Sequence, residues 1–224
     1  MNKVNYQKEL EKILANPANR GKKLFIHSCC APCSSYVLTY LSCFFRITVF
    51  YYNPNITDEP EYRLRVEEQK RLIETLNAEG KAEYPDWSYG VSSDAEALRY
   101  PIEVIDGDYD TETYYEAVRG HEKDPEGGGR CAICFRMRLE RTLEEANKAG
   151  ADYFATTLTI SPMKDAQLIN SIGMSLDENK WLPSDFKKKE GYKRSIELSS
   201  KYNLYRQNYC GCEFSKEELN EEVN

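Results

Sequence analysis

The sequence lacks the long apolar runs of membrane and secreted proteins. No apolar run reaches the length of a bilayer span, and the first twenty residues contain no apolar signal-peptide core. With 41% hydrophobic and 30% charged residues, the composition is that of a globular protein rather than a disordered one. We therefore expect a cytoplasmic protein with no membrane partner.

The common nucleotide- and cofactor-binding motifs are also absent. The sequence contains no G-x-x-x-x-G-K-[ST] loop, no G-x-G-x-x-G fingerprint and no G-x-S-x-G nucleophile elbow. Nothing in it therefore indicates a nicotinamide or flavin cofactor. It also has no internal repeat and no interdomain linker. We expect a single α/β domain over residues 1–224, with a helical extension over 1–20 and an acidic tail over 215–224.

Cysteine, in contrast, is abundant and clustered. Seven of the eight cysteines fall into three short groups, and Cys43 stands alone in an apolar setting that suits an inert core thiol. The groups are C-C-x-x-C at Cys29, Cys30 and Cys33, C-x-x-C at Cys131 and Cys134, and C-x-C at Cys210 and Cys212. In a reducing compartment, such groups favour metal binding or redox chemistry over structural disulfides.

The order of apolar and amphipathic segments predicts an α/β fold. Compact apolar segments typical of buried strands lie at 23–28, 46–53, 101–106 and 151–157. Helical patterns lie at 4–14, 34–43, 61–80, 110–120 and 134–150. Strands that alternate with helices indicate a mainly parallel, Rossmann-like sheet with helices on both faces.

Two loops are expected at the carboxyl edge of this sheet. The segment H-S-C-C-A-P-C follows the strand at 23–28, and T-T-L-T-I-S-P-M-K-D follows the strand at 151–157. Ligands of parallel sheets bind at this edge, usually on a glycine-rich loop. Here thiols replace the glycines, so we expect a cysteine metal site at the strand carboxyl ends.

The number of thiols discriminates between kinds of metal site. A structural zinc uses four thiolates and leaves three of the seven clustered thiols without a role. A four-iron cluster also takes four, and the remaining three could hold a second metal or form a redox pair. The C-x-C pair closes too small a ring for a relaxed disulfide, so metal ligation and reactive dithiol chemistry both stay open.

Three other side chains near these segments have two interpretations each. His27, before the C-C pair, is either a proton donor or ligand, or a buried hydrogen-bonded residue. Tyr209, beside the C-x-C pair, either donates a proton or packs. Asp165 is either a catalytic acid or the residue that begins a helix.

One basic segment stands out on an acidic chain. Residues 185–206 carry seven Lys or Arg and three Asp or Glu, a local charge of +4, against −7 for the whole chain. A solvated surface is the ordinary explanation, but the interleaved Tyr192 and Tyr202 suit contacts with phosphates and bases. The candidate contact residues are Lys187, Lys188, Lys189, Lys193, Arg194 and Arg206.

Seven ordered motifs between about residue 24 and about residue 214 resemble one known family. They are HSCCAPC, YYNPNI, EYRLR, RCAICFRMRL, TTLTISPMK, DFKKKEGYKRS and LYRQNYCGC. Together they resemble the cobalamin-independent epoxyqueuosine reductase family. The resemblance implies a fold similar to the nucleotide-hydrolase-like α/β enzymes. It also implies reduction of the epoxide on the modified wobble guanosine of tRNA to the alkene of queuosine.

The resemblance further implies roles for individual residues and partners. The implied ligands of a [4Fe–4S] cluster are Cys29, Cys30, Cys131 and Cys134. Cys210 and Cys212 are implied to be a redox dithiol or ligands of a neighbouring mononuclear iron, and Cys33 stands where some members have Asp. The basic segment is implied to bind the anticodon stem-loop of tRNA carrying epoxyqueuosine. An external low-potential electron donor is needed as well.

Two other functions stay open. A tRNA-thiolating enzyme of related fold also places a ligand loop after its first strand, but it needs a Ser-Gly-Gly type pyrophosphate loop. The segment HSCCAPCSS contains no glycine. A zinc-stabilised tRNA- or protein-binding module would contain zinc without sulfide and would not need so many thiols.

Overall fold

Four parallel strands form the central sheet of the computed structural model, which describes residues 3–80 and 99–216. The strands are β1 (Lys23–His27), β2 (Arg46–Tyr51), β3 (Ile102–Asp106) and β4 (Tyr153–Thr156). Their spatial order is β3-β2-β1-β4, and all three pairings are parallel. The predicted α/β fold with a parallel sheet is confirmed.

Seven α-helices that lie wholly within the described residues connect and cover the strands. They are α1 (Tyr6–Ala15), α2 (Ala31–Leu41), α3 (Glu59–Glu79), α4 (Thr111–Ala117), α5 (Gly129–Lys148), α6 (Ala166–Leu176) and α7 (Gly191–Lys201). The helix predicted over 34–43 begins earlier, at Ala31, because Pro32 fits the first turn, where its missing N–H costs no hydrogen bond. The helix predicted over 134–150 begins at Gly129, so both C-x-x-C cysteines lie inside it.

The ends of two helices follow local rules. Asp58 caps α3 by accepting a hydrogen bond from the Glu61 N–H, and Gly80 ends that helix with a φ of 65°. Asp165 caps α6 by accepting from the backbone N–H groups of Gln167 and Leu168. Asp165 is thus confirmed as the residue that begins a helix.

Alternate residues of β1 pack into two different hydrophobic clusters. Leu24 and Ile26 join a cluster with side chains of α1, α2, α3 and α7. Phe25, between them, packs with Phe135 of α5 and Ile169 of α6. Successive strand residues point to opposite sides of a sheet, so helices contribute to the core on each side of β1.

The register of the sheet brings two loops together. His27, the last residue of β1, pairs with Thr156, the last residue of β4. The segments that follow these residues therefore leave the sheet side by side. The Thr157 hydroxyl lies 3.7 Å from the Cys29 sulfur and 3.5 Å from the Cys29 nitrogen. The expected meeting of these two loops at the carboxyl edge is confirmed.

Within residues 3–80 and 99–216, no helix is both long enough and apolar enough to cross a membrane. The predicted N-terminal extension contains α1, whose Leu10 and Leu14 are buried in the main cluster. Most of the predicted acidic tail, from residue 217 onward, lies outside the described residues.

We predict that Gly173→Ala lowers the free energy of unfolding by about 1–3 kcal/mol, because α6 lies directly against an aromatic ring. A β-carbon at Gly173 would lie 2.2 Å from Cδ2 of Trp181, too close without movement of one of them. Urea denaturation of the metal-free protein measures the change. Ser171→Ala, on an exposed position of the same helix, is the control, and equal stability of the two variants would contradict this packing.

Candidate metal centre

The first cysteine group lies where β1 passes into α2. Cys30 is the N-cap of α2, and Cys33 lies in its first turn. The sulfurs of Cys29, Cys30 and Cys33 all lie within 4.8 Å of one another, and those of the adjacent pair are 3.8 Å apart. The N-terminus of a helix stabilises thiolates. This group is therefore able to offer three sulfur ligands to one metal ion or cluster.

A buried polar network fixes this group to α3. The hydroxyl oxygens of Ser28 and Ser34 lie 2.7 Å and 2.9 Å from Oε1 of Gln69 and 2.6 Å from each other. The Ser34 hydroxyl also lies 2.9 Å from the Cys30 carbonyl oxygen. All three polar side chains are fully buried. The loop that carries the thiols is thus set by hydrogen bonds on its inner side.

The second cysteine group occupies the first two turns of α5. Cys131 and Cys134 are three residues apart, a spacing that puts both sulfurs on one side of the helix. The Gly127 N–H donates a hydrogen bond to the Cys131 sulfur at 3.2 Å. Burial raises the pKa of Cys131 and raises that of Cys134 to about 11.

The third cysteine group is held against the loop that follows β2. Nη1 of Arg65, on α3, donates to the Cys210 carbonyl at 3.2 Å, and the Thr57 N–H donates to the Gly211 carbonyl at 3.3 Å. Gly211 has a φ of 107°, and a β-carbon there would lie 2.6 Å from Cγ1 of Ile56. Only glycine therefore fits between Cys210 and Cys212 in this loop.

Two adjoining cavities connect the three groups. The first has a volume of about 120 Å³, and its lining includes Cys131, Cys134, Cys210 and Cys212. The second has a volume of about 280 Å³, and its lining includes Cys29, Cys33 and Cys210. Cys210, Arg138 and Lys164 line both cavities. Cysteines from three distant parts of the chain therefore meet at one edge of the sheet, and all eight cysteines are free thiols.

A buried arginine connects the first and second cysteine groups. Arg138, on α5, is only 3% exposed. Its Nε donates to the Cys134 carbonyl at 3.3 Å, and its Nη1 donates to Oδ1 of Asn53 at 3.2 Å. Nδ2 of Asn53 then donates to the Ser28 carbonyl at 2.8 Å, directly before the C-C pair. Arg138 thus fixes two thiol-bearing segments relative to each other.

Two cations in this region, the buried Arg138 and the half-buried Lys164, have raised pKa values although burial opposes their charge. Burial by itself lowers the pKa of Arg138, but the thiols of Cys134 and Cys29 outweigh burial and raise it. Burial likewise lowers the pKa of Lys164, and the thiols of Cys29 and Cys33 raise it above its ordinary value. Positive charge is thus available wherever the thiols become thiolates.

The thiols themselves differ in acidity. Hydrogen bonds from Cys30 and Cys33 lower the pKa of Cys29, and the contact with Cys29 raises the pKa of Cys30 to about 12 and raises that of Cys33. A hydrogen bond from Cys212 lowers the pKa of Cys210 to about 5, while the contact with Cys210 raises that of Cys212. Within the first group Cys29 is thus the most acidic thiol, and within the third group it is Cys210.

His27 is fully buried beneath the first cysteine group. Its Nε2 donates to the Tyr52 carbonyl at 3.1 Å, so Nδ1 accepts from the Thr156 hydroxyl at 2.9 Å. Burial, together with the Arg138 charge, lowers the pKa of His27 to about 3. With both ring nitrogens engaged, His27 fits the buried hydrogen-bonded role, and its role as a proton donor stays a prediction.

Tyr209 lies in the wall of the larger cavity. The Arg65 guanidinium lies 5.3 Å from the centre of its ring, and Nη2 of Arg65 donates to the Tyr209 carbonyl at 3.5 Å. Burial raises the pKa of the Tyr209 hydroxyl. The residue is therefore positioned beside the thiols, and its role in proton transfer stays a prediction.

The basic residues expected to contact tRNA do not form one uniform patch. Arg206 lines the larger cavity, whereas Lys187 and Lys188 line a neighbouring open groove of about 610 Å³. Lys189 instead pairs with Glu11 of α1 at 2.5 Å. The remaining two are Lys193 and Arg194, both on α7. Their contact with nucleic acid stays a prediction.

Comparison with known proteins identifies one family. The sequence model of a protein family described as "Epoxyqueuosine reductase QueH" matches residues 24–218. The chain belongs to the epoxyqueuosine reductase QueH family. It is 39% identical over 220 residues to epoxyqueuosine reductase QueH of Staphylococcus epidermidis, covering 95% of this chain and 85% of that protein. It is 38% identical over 219 residues to that of Streptococcus pyogenes serotype M1, covering 95% and 78%, respectively. It is 34% identical over 201 residues to that of Thermotoga maritima, covering 86% and 89%. The resemblance on sequence motifs is thereby confirmed.

Four residues that contact or lie beside the three cysteine groups were not identified from the sequence. They are Arg65, Tyr114, Arg138 and Lys164. Arg138 follows Cys134 by four residues, so helical spacing alone could have placed it beside the thiols. Lys164 belongs to a loop already expected at this edge. Arg65 lies on α3 and Tyr114 on α4. Neither residue stands at a sequence spacing from a cysteine that would have indicated a contact with the thiols.

We predict that Arg65→Met releases the C-x-C segment. The change removes the donor to the Cys210 and Tyr209 carbonyls and leaves Glu61, whose side chain is 13% exposed, without the guanidinium that pairs with it. The free energy of unfolding should fall by about 3 kcal/mol. Alkylation of Cys210 and Cys212 in metal-free protein, followed by mass spectrometry, should become faster.

The matched control for this variant is Arg63→Met. Arg63 lies on the same helix, and its side chain is 61% exposed and paired with Glu59. Its loss should change stability by no more than about 0.5 kcal/mol. Equal alkylation rates in the two variants would show that Arg65 does not hold the C-x-C segment.

Proposed function

We propose that this chain reduces epoxyqueuosine at the wobble position of tRNA to queuosine. Membership of the epoxyqueuosine reductase QueH family supports the activity. The single structural observation that carries the proposal is the meeting of three cysteine groups beside cavities of about 120 Å³ and about 280 Å³. A reductase of a bulky substrate needs redox groups, here the cysteines, beside a space that admits the substrate, here the cavities.

The reaction sets what the site must supply. Both C–O bonds of the epoxide break, a carbon–carbon double bond forms, and the oxygen leaves as water. The change consumes two electrons and two protons. An external low-potential electron donor provides the electrons, because no nicotinamide or flavin motif is found in the sequence.

The donor set fits an iron–sulfur centre. Thiolates are the usual ligands of such clusters, and the buried Arg138 and half-buried Lys164 offset negative charge. The proposed ligands of a [4Fe–4S] cluster are Cys29, Cys30, Cys131 and Cys134. Cys210 and Cys212, with Cys33, are proposed to form a second redox component, either a mononuclear iron site or a C-x-C dithiol. When bound, the cluster supplies transfer of single electrons.

The position of Cys33 bears on how the thiols are divided. Its sulfur lies within 4.8 Å of those of Cys29 and Cys30, so the closest set of three thiols includes members of both proposed groups. The two components would therefore be neighbours. Such proximity suits transfer of two electrons to one substrate in successive single steps.

The larger cavity is the proposed site of the modified base. Tyr192 and Tyr209 in its wall provide aromatic faces on which a base could stack, and Arg206 lies at the same wall to meet a phosphate. Nζ of Lys164 and the hydroxyl of Tyr209 are the groups that could supply protons there. The packing of helices on each side of β1 supports a Rossmann-like, nucleotide-hydrolase-like layout for this arrangement.

Metal analysis of anaerobically purified protein tests the proposal. We predict about four sulfides and four or five irons per chain. Cys131→Ser should lose most of this iron, whereas Cys43→Ala, in the core, should keep it. Conversion of epoxyqueuosine in tRNA to queuosine should follow the iron content when nucleosides are analysed by mass spectrometry.

A zinc-stabilised binding module is the alternative that this experiment separates. It would contain zinc without sulfide, even in protein kept anaerobic and reconstituted with iron. That result, together with no conversion of the epoxide, would overturn the reductase proposal.

The basic segment has its own test. Replacing Lys187, Lys188 and Lys189 together by Ala should weaken tRNA binding and leave iron content unchanged. The slope of log affinity against log salt should become shallower by about 0.7 for each single-stranded phosphate that the variant no longer neutralises. Lys187 and Lys189 already pair with Asp185 and Glu11, so Lys188 should contribute most.

A triple variant of equal charge change is the control. Lys8, Lys12 and Lys148 are exposed residues of α1 and α5, outside the lining of the described cavities. Replacing these by Ala should alter affinity far less. An equal decrease in affinity in the two triple variants would contradict the proposal that the basic segment binds tRNA.

A further inference from the structure

Tyr114, on the short helix α4, ends against the third cysteine group. Its hydroxyl oxygen lies 3.0 Å from the sulfur of Cys212. Both side chains are enclosed, at 1% and 5% exposure, and they pack with Val118 and Cys134 in one small cluster. Within residues 3–80 and 99–216, the Tyr114 hydroxyl has no other hydrogen-bond partner. This contact thus joins two buried side chains at the wall of the first cavity.

We infer that Tyr114 is a positioning residue. It donates a hydrogen bond to the Cys212 sulfur when that sulfur is a thiolate or is bound to a metal. A thiolate or a metal-bound sulfur carries no hydrogen, so the phenol is the only possible donor in this pair. Both side chains are buried, and within their cluster the Tyr114 hydroxyl is the group that meets this sulfur. The inference rests on the proposed function, in which Cys212 belongs to the second redox component.

The contact has two consequences for the site. It fixes the direction in which the Cys212 sulfur points, toward the cavity that Cys134 and Cys210 also line. It also withdraws electron density from the sulfur, and hydrogen bonds to ligand sulfurs are one of the factors that set the potential of such centres. Tyr114 should therefore make reduction of the second component more favourable without touching the tRNA.

The start of α4 determines which of its side chains points toward Cys212. Asp110 caps the helix by accepting from the Thr113 N–H, which fixes where the helix begins. Tyr114 then points inward, while the next residue, Tyr115, is 38% exposed. Two adjacent tyrosines thus differ in surroundings, and each differs from phenylalanine by a single hydroxyl.

The test compares Tyr114→Phe with Tyr115→Phe in full-length, anaerobically reconstituted protein. Each variant loses one hydroxyl from the same helix. The first measurement is iron and sulfide content. The second is the midpoint potential of the second redox component, by equilibration with redox dyes. The third is kcat and KM with epoxyqueuosine-containing tRNA. The metal content reports whether the centre forms, and the potential reports the hydrogen bond.

Tyr114→Phe should keep wild-type iron and sulfide, show a more negative midpoint potential and lose kcat by roughly tenfold, as expected for one hydrogen bond to a charged acceptor. KM for the tRNA should not change, because the hydroxyl is enclosed. Tyr115→Phe loses a hydrogen bond with Glu213 but none to a cysteine sulfur, so it should keep the wild-type potential. A wild-type potential and kcat in Tyr114→Phe would overturn the inference.

Failure of the proposed function has a different signature. Wild-type protein would then lack sulfide or fail to convert the epoxide, irrespective of either tyrosine, and the inference would fall with it. A loss of iron in Tyr114→Phe, with a stable fold by circular dichroism, would also overturn the inference as stated, since the hydroxyl would then be needed for assembly rather than for tuning.

Discussion

The organisation of this protein depends on enclosed positive charge among its thiols. Thiols that become ligands acquire negative charge, and several such charges cannot share a poorly hydrated space without compensation. Arg138 is 3% exposed, and the thiols around it raise its pKa despite burial. The same guanidinium bonds to the Cys134 carbonyl and, through Asn53, to the loop of the C-C pair. Compensation of charge and alignment of two cysteine groups therefore come from one side chain.

The parallel sheet explains how distant cysteines come together. The C-C-x-x-C group follows β1, the C-x-C group is bonded to the loop after β2, and the C-x-x-C group begins α5, which leads into β4. The carboxyl ends of parallel strands lie at one edge, so each connection returns the chain there. Two of the groups also lie at helix N-termini, where the backbone favours thiolates. The topology thus supplies proximity, and the helix ends supply part of the electrostatics.

Much of this could be predicted from the sequence, for identifiable reasons. The strands and the two edge loops follow from apolar periodicity, which local patterns record. The start of α5 at Gly129 does not follow from the pattern, because a glycine run ordinarily ends helices rather than beginning them. The location of the C-x-C pair was beyond prediction, because an irregular segment has no period. Its position depends on Arg65 and on the room at Gly211, which are tertiary contacts. For the same reason, the proton-donor interpretation of His27 stays open until the two partners of its ring are known.

The position of Lys164 joins the chemistry of the thiols to that of the substrate. Lys164 lines both cavities, and the thiols of Cys29 and Cys33 raise its pKa. Negative charge on the thiols stabilises the ammonium form of Lys164, so its positive charge would offset that of a bound cluster. Lys164 also lines the cavity proposed for the modified base, where it would lie within reach of the substrate. In the proposed reaction, one side chain would therefore serve both the thiols and the substrate.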